Sequence, residues 1–141
     1  MAVAHAAALS KGVELYEYLA SGGEFSLPIP MFNILNGGKH AHDSTDFQEF
    51  MVVPAGFETF REATRAGAEV YQTLHKILRD RGYGTTVGDE GGPAPSGVTK
   101  IGALSLVTEA IETAGYRLGE QCFITIDVAA SGLRFEGSYF L

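Results

Sequence analysis

Apolar residues recur at helical spacing in two stretches of the chain. In the first, apolar and small residues stand three or four positions apart, which predicts an amphipathic helix over 58–81. The second stretch predicts another helix, from Leu104 to Ala114. Gly82 and Gly115 follow the two patterns and supply their C-terminal stops. The alanine-rich composition of residues 2–20 favours one or two further helices.

Three shorter runs have the pattern of β-strands. The first is held extended by its prolines over 27–35, and Asn36-Gly37-Gly38 ends it. The second, over 47–53, alternates with a period of two and is closed by Pro54. The third, Phe123 to Asp127, is mostly apolar and β-branched until it ends on a carboxylate. Helices and strands together predict an α/β fold.

Two of these strands carry an acid that requires an explanation. Alternation groups Glu49 with three apolar neighbours, Phe47, Met51 and Val53. Buried glutamate is rare unless it is paired or bound to a metal, so the alternative is a half-exposed edge strand from which Glu49 reaches water. Asp127 ends its strand, and in parallel α/β barrels function collects at the carboxyl ends of strands. An aspartate that caps a turn is the alternative there, and both alternatives stay open.

A further pair of acids is framed by glycines, in the run Val87-Gly88-Asp89-Glu90-Gly91-Gly92. Glycine admits backbone conformations and close approaches that other residues do not, so this setting can aim an acid into a pocket. An acidic surface turn is the alternative. Glu49, Glu90 and Asp127 then form a constellation of carboxylates, whose hard oxygens suit Mg²⁺ better than zinc. A carboxylic acid near other carboxylates can also have a raised pKa and take part in proton transfer.

Two other motifs carry less weight. The glycines of residues 82–88 follow a predicted helix and lack the spacing of a nucleotide-binding loop, which should follow a strand. The loop His40-Ala41-His42-Asp43 has metal-binding residue types, but it has no cysteine nearby and a zinc site would need scattered acids. One histidine that contacts a substrate is the more economical hypothesis, with a solvated histidine as its alternative.

Composition narrows the function classes. The 141 residues carry 17 acids against 10 bases, a net charge of -7 without a basic cluster, which argues against nucleic-acid binding. The single cysteine, Cys122, cannot form an intramolecular disulfide, and no secretory signal is recognisable, so a reducing, cytoplasmic setting is expected. No apolar run approaches the ~20 residues of a membrane span. We therefore expect a soluble, globular chain.

Six motifs occur in order along the chain: Leu27-Pro28-Ile29-Pro30-Met31, Asn33-Ile34-Leu35-Asn36-Gly37-Gly38, His40-Ala41, Gln48-Glu49-Phe50-Met51, Gly88-Asp89-Glu90-Gly91-Gly92, and Asp127 with Ala129-Ala130-Ser131. Together they resemble the enolase family. The likeness covers nearly the whole chain and is much more specific than any one motif. It implies an incomplete TIM-like barrel over residues 25–141, preceded by the helical end of the N-terminal domain over residues 1–24.

The resemblance also implies an activity. Enolases interconvert 2-phosphoglycerate and phosphoenolpyruvate in glycolysis, a carbon–oxygen lyase reaction (phosphopyruvate hydratase) that uses two Mg²⁺ ions. By position, Glu90 resembles the acid that assists the departure of hydroxide, and Glu49 resembles its partner and a substrate contact. His40 resembles a substrate-binding histidine, and Asp127 the first ligand of the tighter metal. The family further implies a homodimer in the cytoplasm and allows for a cell-surface or secreted pool.

The chain departs from the family pattern at Pro93, where an aromatic residue is usual, and at Gly132, where an acid is usual. Two further metal carboxylates, the lysine base and later substrate-binding residues match positions after Leu141. The four lysines, Lys11, Lys39, Lys76 and Lys100, do not stand at predicted strand ends, where the base belongs. A complete barrel needs ~250 residues.

We therefore expect the isolated chain to be inactive, because proton abstraction from carbon needs a positioned base. Two alternatives remain. In the first, the chain is one piece of a split enolase that a complementing chain completes. In the second, it is a non-catalytic metal-binding or interaction fragment.

Overall fold

The computed structural model describes residues 1–20, 22–40, 44–88 and 91–140. Its helices are α1 Ala2–Lys11, α2 Leu15–Leu19, α3 Phe60–Asp80 and α4 Lys100–Thr113. Its strands are β1 Phe32–Asn36, β2 Glu49–Val53, β3 Phe123–Asp127, β4 Arg134–Phe135 and β5 Ser138–Tyr139. Short 3₁₀ turns span Gly38–His40 and Ala130–Leu133. The described residues thus mix helices and strands without closing a barrel, as an incomplete barrel predicts.

The central sheet is antiparallel and has β2 between β1 and β3. β4 and β5 form a separate hairpin. Since β2 runs against both neighbours, its amino end lies beside the carboxyl ends of β1 and β3. We expected Asp127 at the carboxyl end of a strand in a parallel barrel. Asp127 does lie at the carboxyl end of β3, but β3 is antiparallel to its neighbour β2. This reversal brings Glu49, the first residue of β2, to the same end of the sheet.

The two faces of the sheet differ because side chains alternate along each strand. One face contributes Phe50 and Val52 to a fully buried core that α3 and α4 cover. The other face carries Glu49 and Met51, which are partly exposed. We expected Phe47 on that second face, and this was wrong: its ring stacks on Phe50 at a centroid distance of 6.4 Å and packs against the core. Side chains alternate between the two faces only from Glu49, the first residue of β2, onward.

Polar caps set the ends of the long helices. The helix predicted over 58–81 is α3, and it starts after Thr59, whose Oγ1 accepts a hydrogen bond from the backbone N–H of Glu62 at 3.2 Å. Gly82, with φ of 76°, follows its end as predicted. α4 begins earlier than its apolar pattern suggested, because the side chain of Thr99 caps its first turn.

The alanine-rich region forms the two helices α1 and α2, which pack on each other. Gly12 closes α1 in the left-handed conformation, with φ of 66°. α2 begins with a reciprocal capping box between Glu14 and Glu17. Among the described residues, no helix combines the length and apolar character needed to cross a membrane.

A polar cluster joins α3 to the segment after α4. The Tyr116 hydroxyl donates a hydrogen bond to the Glu69 carboxylate, which also accepts one from Arg65 Nε at 2.7 Å. The hydrogen bonds from Arg65 and then from Tyr116 lower the pKa of Glu69. Partial burial, followed by the bond to Glu69, raises the pKa of Tyr116 to about 12.

This cluster predicts a pH-dependent effect of Tyr116→Phe. The change removes one hydrogen bond to a charged group and should lower the free energy of unfolding by about 1 kcal/mol near neutral pH. Because folding raises the pKa of Tyr116 from 10.0 to about 12, its contribution is complete below pH 10 and lost as the pH rises through about 12. Urea unfolding at about pH 8 and about pH 11 should show the difference shrink at the higher pH.

The exposed Tyr139 provides the matched control, since Tyr139→Phe should leave the unfolding free energy unchanged at both pH values. A difference for Tyr116→Phe that does not shrink at the higher pH would contradict the prediction.

Candidate functional site

Three polar side chains stand in one row across the end of the sheet. Asn36 pairs with Glu49 across β1 and β2, and Glu49 pairs with Asp127 across β2 and β3. Directly opposed residues project from the same face with their Cβ atoms about 5 Å apart. Exposure rises along the row, from the fully buried Asn36 through the partly exposed Glu49 to the exposed Asp127. The two acids that the sequence singled out on separate strands are therefore neighbours.

Asp127 also shapes the turn that follows β3. Its Oδ1 accepts a hydrogen bond from the backbone N–H of Ala129 at 2.8 Å. Ala129 adopts the left-handed conformation, with φ of 49° and ψ of 48°, and leads into the 3₁₀ turn Ala130–Leu133. Asp127 thus caps the turn after β3, as the alternative hypothesis predicted. A carboxylate has two oxygens, so this bond is compatible with metal ligation, which stays a prediction for Asp127.

The glycine-framed loop is fastened at both flanks. The backbone N–H of Gly88 donates to the carbonyl of Gly92 at 2.8 Å, which closes the loop on itself. The Tyr71 hydroxyl, from α3, donates to the carbonyl of Gly91 at 2.7 Å. Glu90 and the acid before it lie outside the described residues, so the role of Glu90 stays a prediction. Its immediate flanks, however, are held between α3 and the sheet.

Asn36 packs directly against this loop. Its backbone N–H donates to the carbonyl of the buried Pro93 at 2.9 Å. A Cβ at Gly92 would lie 2.1 Å from Asn36 Oδ1, so the loop approaches this closely only because residue 92 is glycine. Among the described residues, neither Oδ1 nor Nδ2 of Asn36 has a hydrogen-bond partner. Because a buried unpaired amide is costly, Asn36 is a candidate site residue.

From the sequence, Asn36 was expected to end a strand and belonged to a family motif, but no role at the site was predicted for it. The available signal was its place at the carboxyl end of β1 within the motif that also contains Gly37 and Gly38. Using that signal required knowing that β1 and β2 are antiparallel, because only then does Asn36 oppose Glu49.

His40 lies in the 3₁₀ turn that follows β1. Its side chain is outside the described part of the structure, as are residues 41–43. Substrate binding by His40 therefore stays a prediction. The weaker zinc hypothesis, which involves His42 and Asp43, also falls on undescribed residues.

A cavity of about 480 Å³ opens beside this end of the sheet, within the size range of small-molecule sites. Its described walls come from the turn after β1, from residues 44–48 and from residues 128–133. Lys39 is among the lining residues, although we had set it aside because it does not end a strand. Its Cε lies 3.3 Å from the position that a Cβ at Gly132 would occupy. Adjacency to His40 was the signal in the sequence that could have identified Lys39.

The residues present do not fit a complete magnesium centre. The resemblance implies three metal carboxylates, of which Asp127 is the one with a matching position in this chain. Within the described ranges, no group of three or more histidine, cysteine, aspartate or glutamate residues could hold a metal ion. Asp127 by itself supplies too few oxygen ligands for tight Mg²⁺ binding.

The chain also matches a known protein family. Residues 24–141 match the family described as enolase, C-terminal TIM barrel domain. The matched range includes β1, β2 and β3, the glycine-framed loop and the cavity with Lys39.

Proposed function

The chain belongs to the enolase family, and we propose that it carries the acid side of a lyase site that interconverts 2-phosphoglycerate and phosphoenolpyruvate in glycolysis. The main support is the row of Asn36, Glu49 and Asp127, with the flanks of the Glu90 loop against the same end of the sheet. That arrangement brings Glu49 and Asp127 from two strands to one end of the sheet, where the described flanks of the Glu90 loop also lie. The division into residues 1–24 and 25–141 stays a prediction.

Dehydration of 2-phosphoglycerate breaks a C–H bond and the C–O bond on the adjacent carbon, and forms the C=C bond. In the proposal, Glu90 gives a proton to the departing hydroxide, which leaves as water. Glu49 is its partner: a nearby carboxylate favours the protonated form of a second carboxyl group, as a general acid requires. His40 contacts the substrate. Mg²⁺ should bind weakly at most, with Asp127 as its ligand.

We expect the 141-residue chain by itself to be inactive. The carbon-bound proton needs a base, and Lys11, Lys76 and Lys100 belong to helices rather than strand ends. Lys39 lines the cavity, but the family resemblance does not assign the base to its position.

A complementation assay tests this function. The purified chain should not turn over 2-phosphoglycerate, whereas mixing it with a separately produced remainder of an enolase barrel should give phosphoenolpyruvate, measured by its ultraviolet absorbance. Glu90→Gln should then lower kcat by about 100-fold or more, since general acid–base catalysis contributes that much. Glu112→Gln, on the exposed side of α4, is the matched control and should have no effect. Equal activity of the two variants would refute the role of Glu90, and turnover by the chain without a partner would refute its inactivity.

One observation favours a complementing chain, the split-enolase alternative. Among the described residues, β3 pairs with β2 on one side and has no strand on the other. Phe123 and Ile126 of β3 are 39% and 38% exposed, on opposite faces of that edge. An unpaired edge with apolar side chains is a pairing site for another strand. The homodimeric state and the cytoplasmic location implied by the family stay predictions.

A further inference from the structure

The loop that contains Glu90 is joined to the sheet at its base. Val87 and Pro93 form an antiparallel bridge across the loop, and the carbonyl of Pro93 accepts a hydrogen bond from the backbone N–H of Asn36, the last residue of β1. These contacts hold the two arms of the loop together. They lie several residues from Glu90, however, so they do not by themselves fix its orientation.

Tyr71 fixes the residue that directly follows Glu90 in the chain. Its hydroxyl donates a hydrogen bond to the carbonyl of Gly91 at 2.7 Å, and the N–H of Gly91 donates to the carbonyl of Gly88 at 3.0 Å. Both backbone polar groups of Gly91 are therefore engaged. Gly91 has φ of 86°, a conformation that favours glycine, so Tyr71 binds the loop where the backbone turns sharply.

The side chain of Tyr71 is itself held in place. Its neighbours on α3, Val70 and Leu74, are 0% exposed, and Tyr71 packs against the same core. The ring of His75, one helical turn later, lies at a centroid distance of 4.5 Å from the phenol ring. Burial lowers the pKa of His75, which favours an uncharged imidazole beside that ring. The hydroxyl is thus presented to the loop from a packed helix.

We propose that Tyr71 is a positioning residue, which binds the Glu90 loop to α3 and so holds Glu90 in place to protonate the departing hydroxide. The task assigned to Glu90 rests on the proposed function. A general acid must lie within hydrogen-bond reach of the group that it protonates, and a displacement of about 1 Å can lower the rate by about 100-fold. Tyr71 acts through Gly91 and needs no contact with the substrate.

Amide hydrogen exchange of the 141-residue chain, measured by NMR, tests the anchoring directly. Tyr71→Phe removes the hydroxyl and keeps the ring. The N–H groups of Gly88 and Gly91 should then exchange roughly 2- to 10-fold faster, as expected for the loss of one hydrogen bond, while the amides of α3 keep their rates. Tyr83→Phe is the matched control, because Tyr83 is exposed just after α3, and it should leave the loop amides unchanged.

The complementation assay then measures the effect on turnover. Tyr71→Phe should lower kcat about 10-fold and leave the KM for 2-phosphoglycerate unchanged, because the hydroxyl orients the acid and does not bind the substrate. In the Glu90→Gln background, Tyr71→Phe should have no further effect on kcat, since the two residues act as one unit. Tyr83→Phe should leave kcat unchanged in both backgrounds.

Unchanged exchange of the loop amides in Tyr71→Phe would overturn the inference. An equal loss of kcat in both backgrounds would also overturn it, because that result indicates a general structural effect. The proposed function fails in a different way. Faster loop exchange without any turnover on complementation would refute the lyase function and leave the anchoring by Tyr71, whereas Glu90-dependent turnover that does not respond to Tyr71→Phe would refute the positioning role and leave the function.

Discussion

Phe50→Ala is expected to lower the free energy of unfolding by about 3–5 kcal/mol, the usual cost of truncating a fully buried phenylalanine. Phe50 is 0% exposed in the middle of the sheet and belongs to the core under α3 and α4. Its removal leaves a cavity and ends the stacking with Phe47. Because domains are stable by about 5–15 kcal/mol, this single change should remove a large fraction of the free energy of unfolding.

Urea unfolding monitored by far-ultraviolet circular dichroism measures this loss. The matched control is Phe135→Ala, the same truncation at a side chain that is 65% exposed, for which we expect a change within about 0.5 kcal/mol. A loss below about 1 kcal/mol for Phe50→Ala would contradict the described core, because it would mean that this ring does not fill the space between the sheet and the helices.

Gly37→Ala is expected to cost about 3 kcal/mol, at the upper end of the range for overpacking. A Cβ at Gly37 would lie 2.3 Å from the backbone oxygen of Phe47 and 2.6 Å from that of Thr45. Main-chain atoms cannot rotate away, so the turn after β1 and the segment before β2 must separate. Their separation would break the hydrogen bond from the Gly37 N–H to the Gln48 carbonyl, which measures 2.8 Å.

Gly84→Ala is the control for this experiment. Gly84 is exposed, and the nearest atom to an added Cβ is Thr86 Oγ1 at 3.9 Å, so the free energy of unfolding should change by less than about 0.5 kcal/mol. Wild-type stability of Gly37→Ala would contradict the close packing of this turn.

Local sequence predicted the helices and strands well where one pattern dominated. The amphipathic pattern of α3 and its stop at Gly82 are short-range features, and the predicted helix agrees with α3 within two residues at its start. α4 starts earlier than predicted because its start is set by a polar cap, Thr99, rather than by apolar spacing. At Phe47 the alternation rule failed, because a residue outside the strand is oriented by the core and not by the pleat.

The arrangement of the predicted site could not be derived from local sequence, because its residues are far apart in the chain. The sequence singled out Glu49 and Asp127 as acids at unusual places, yet each had an equally good local alternative. Strand direction and register decide which residues oppose each other, and both depend on long-range pairing. Lys39 and Asn36 were missed for the same reason: their significance comes from Gly132 and Gly92, which lie more than fifty residues away.

The sequence by itself determined the positions of the main helices and strands, the family resemblance and the identity of the candidate acids, because these depend on residue type and short-range spacing. Only the tertiary structure decided that β2 is antiparallel, that Asn36, Glu49 and Asp127 form one row, and that Lys39 extends over Gly132 into a cavity. Those features arise where segments distant in the chain pack together, and no local pattern encodes the distance between them.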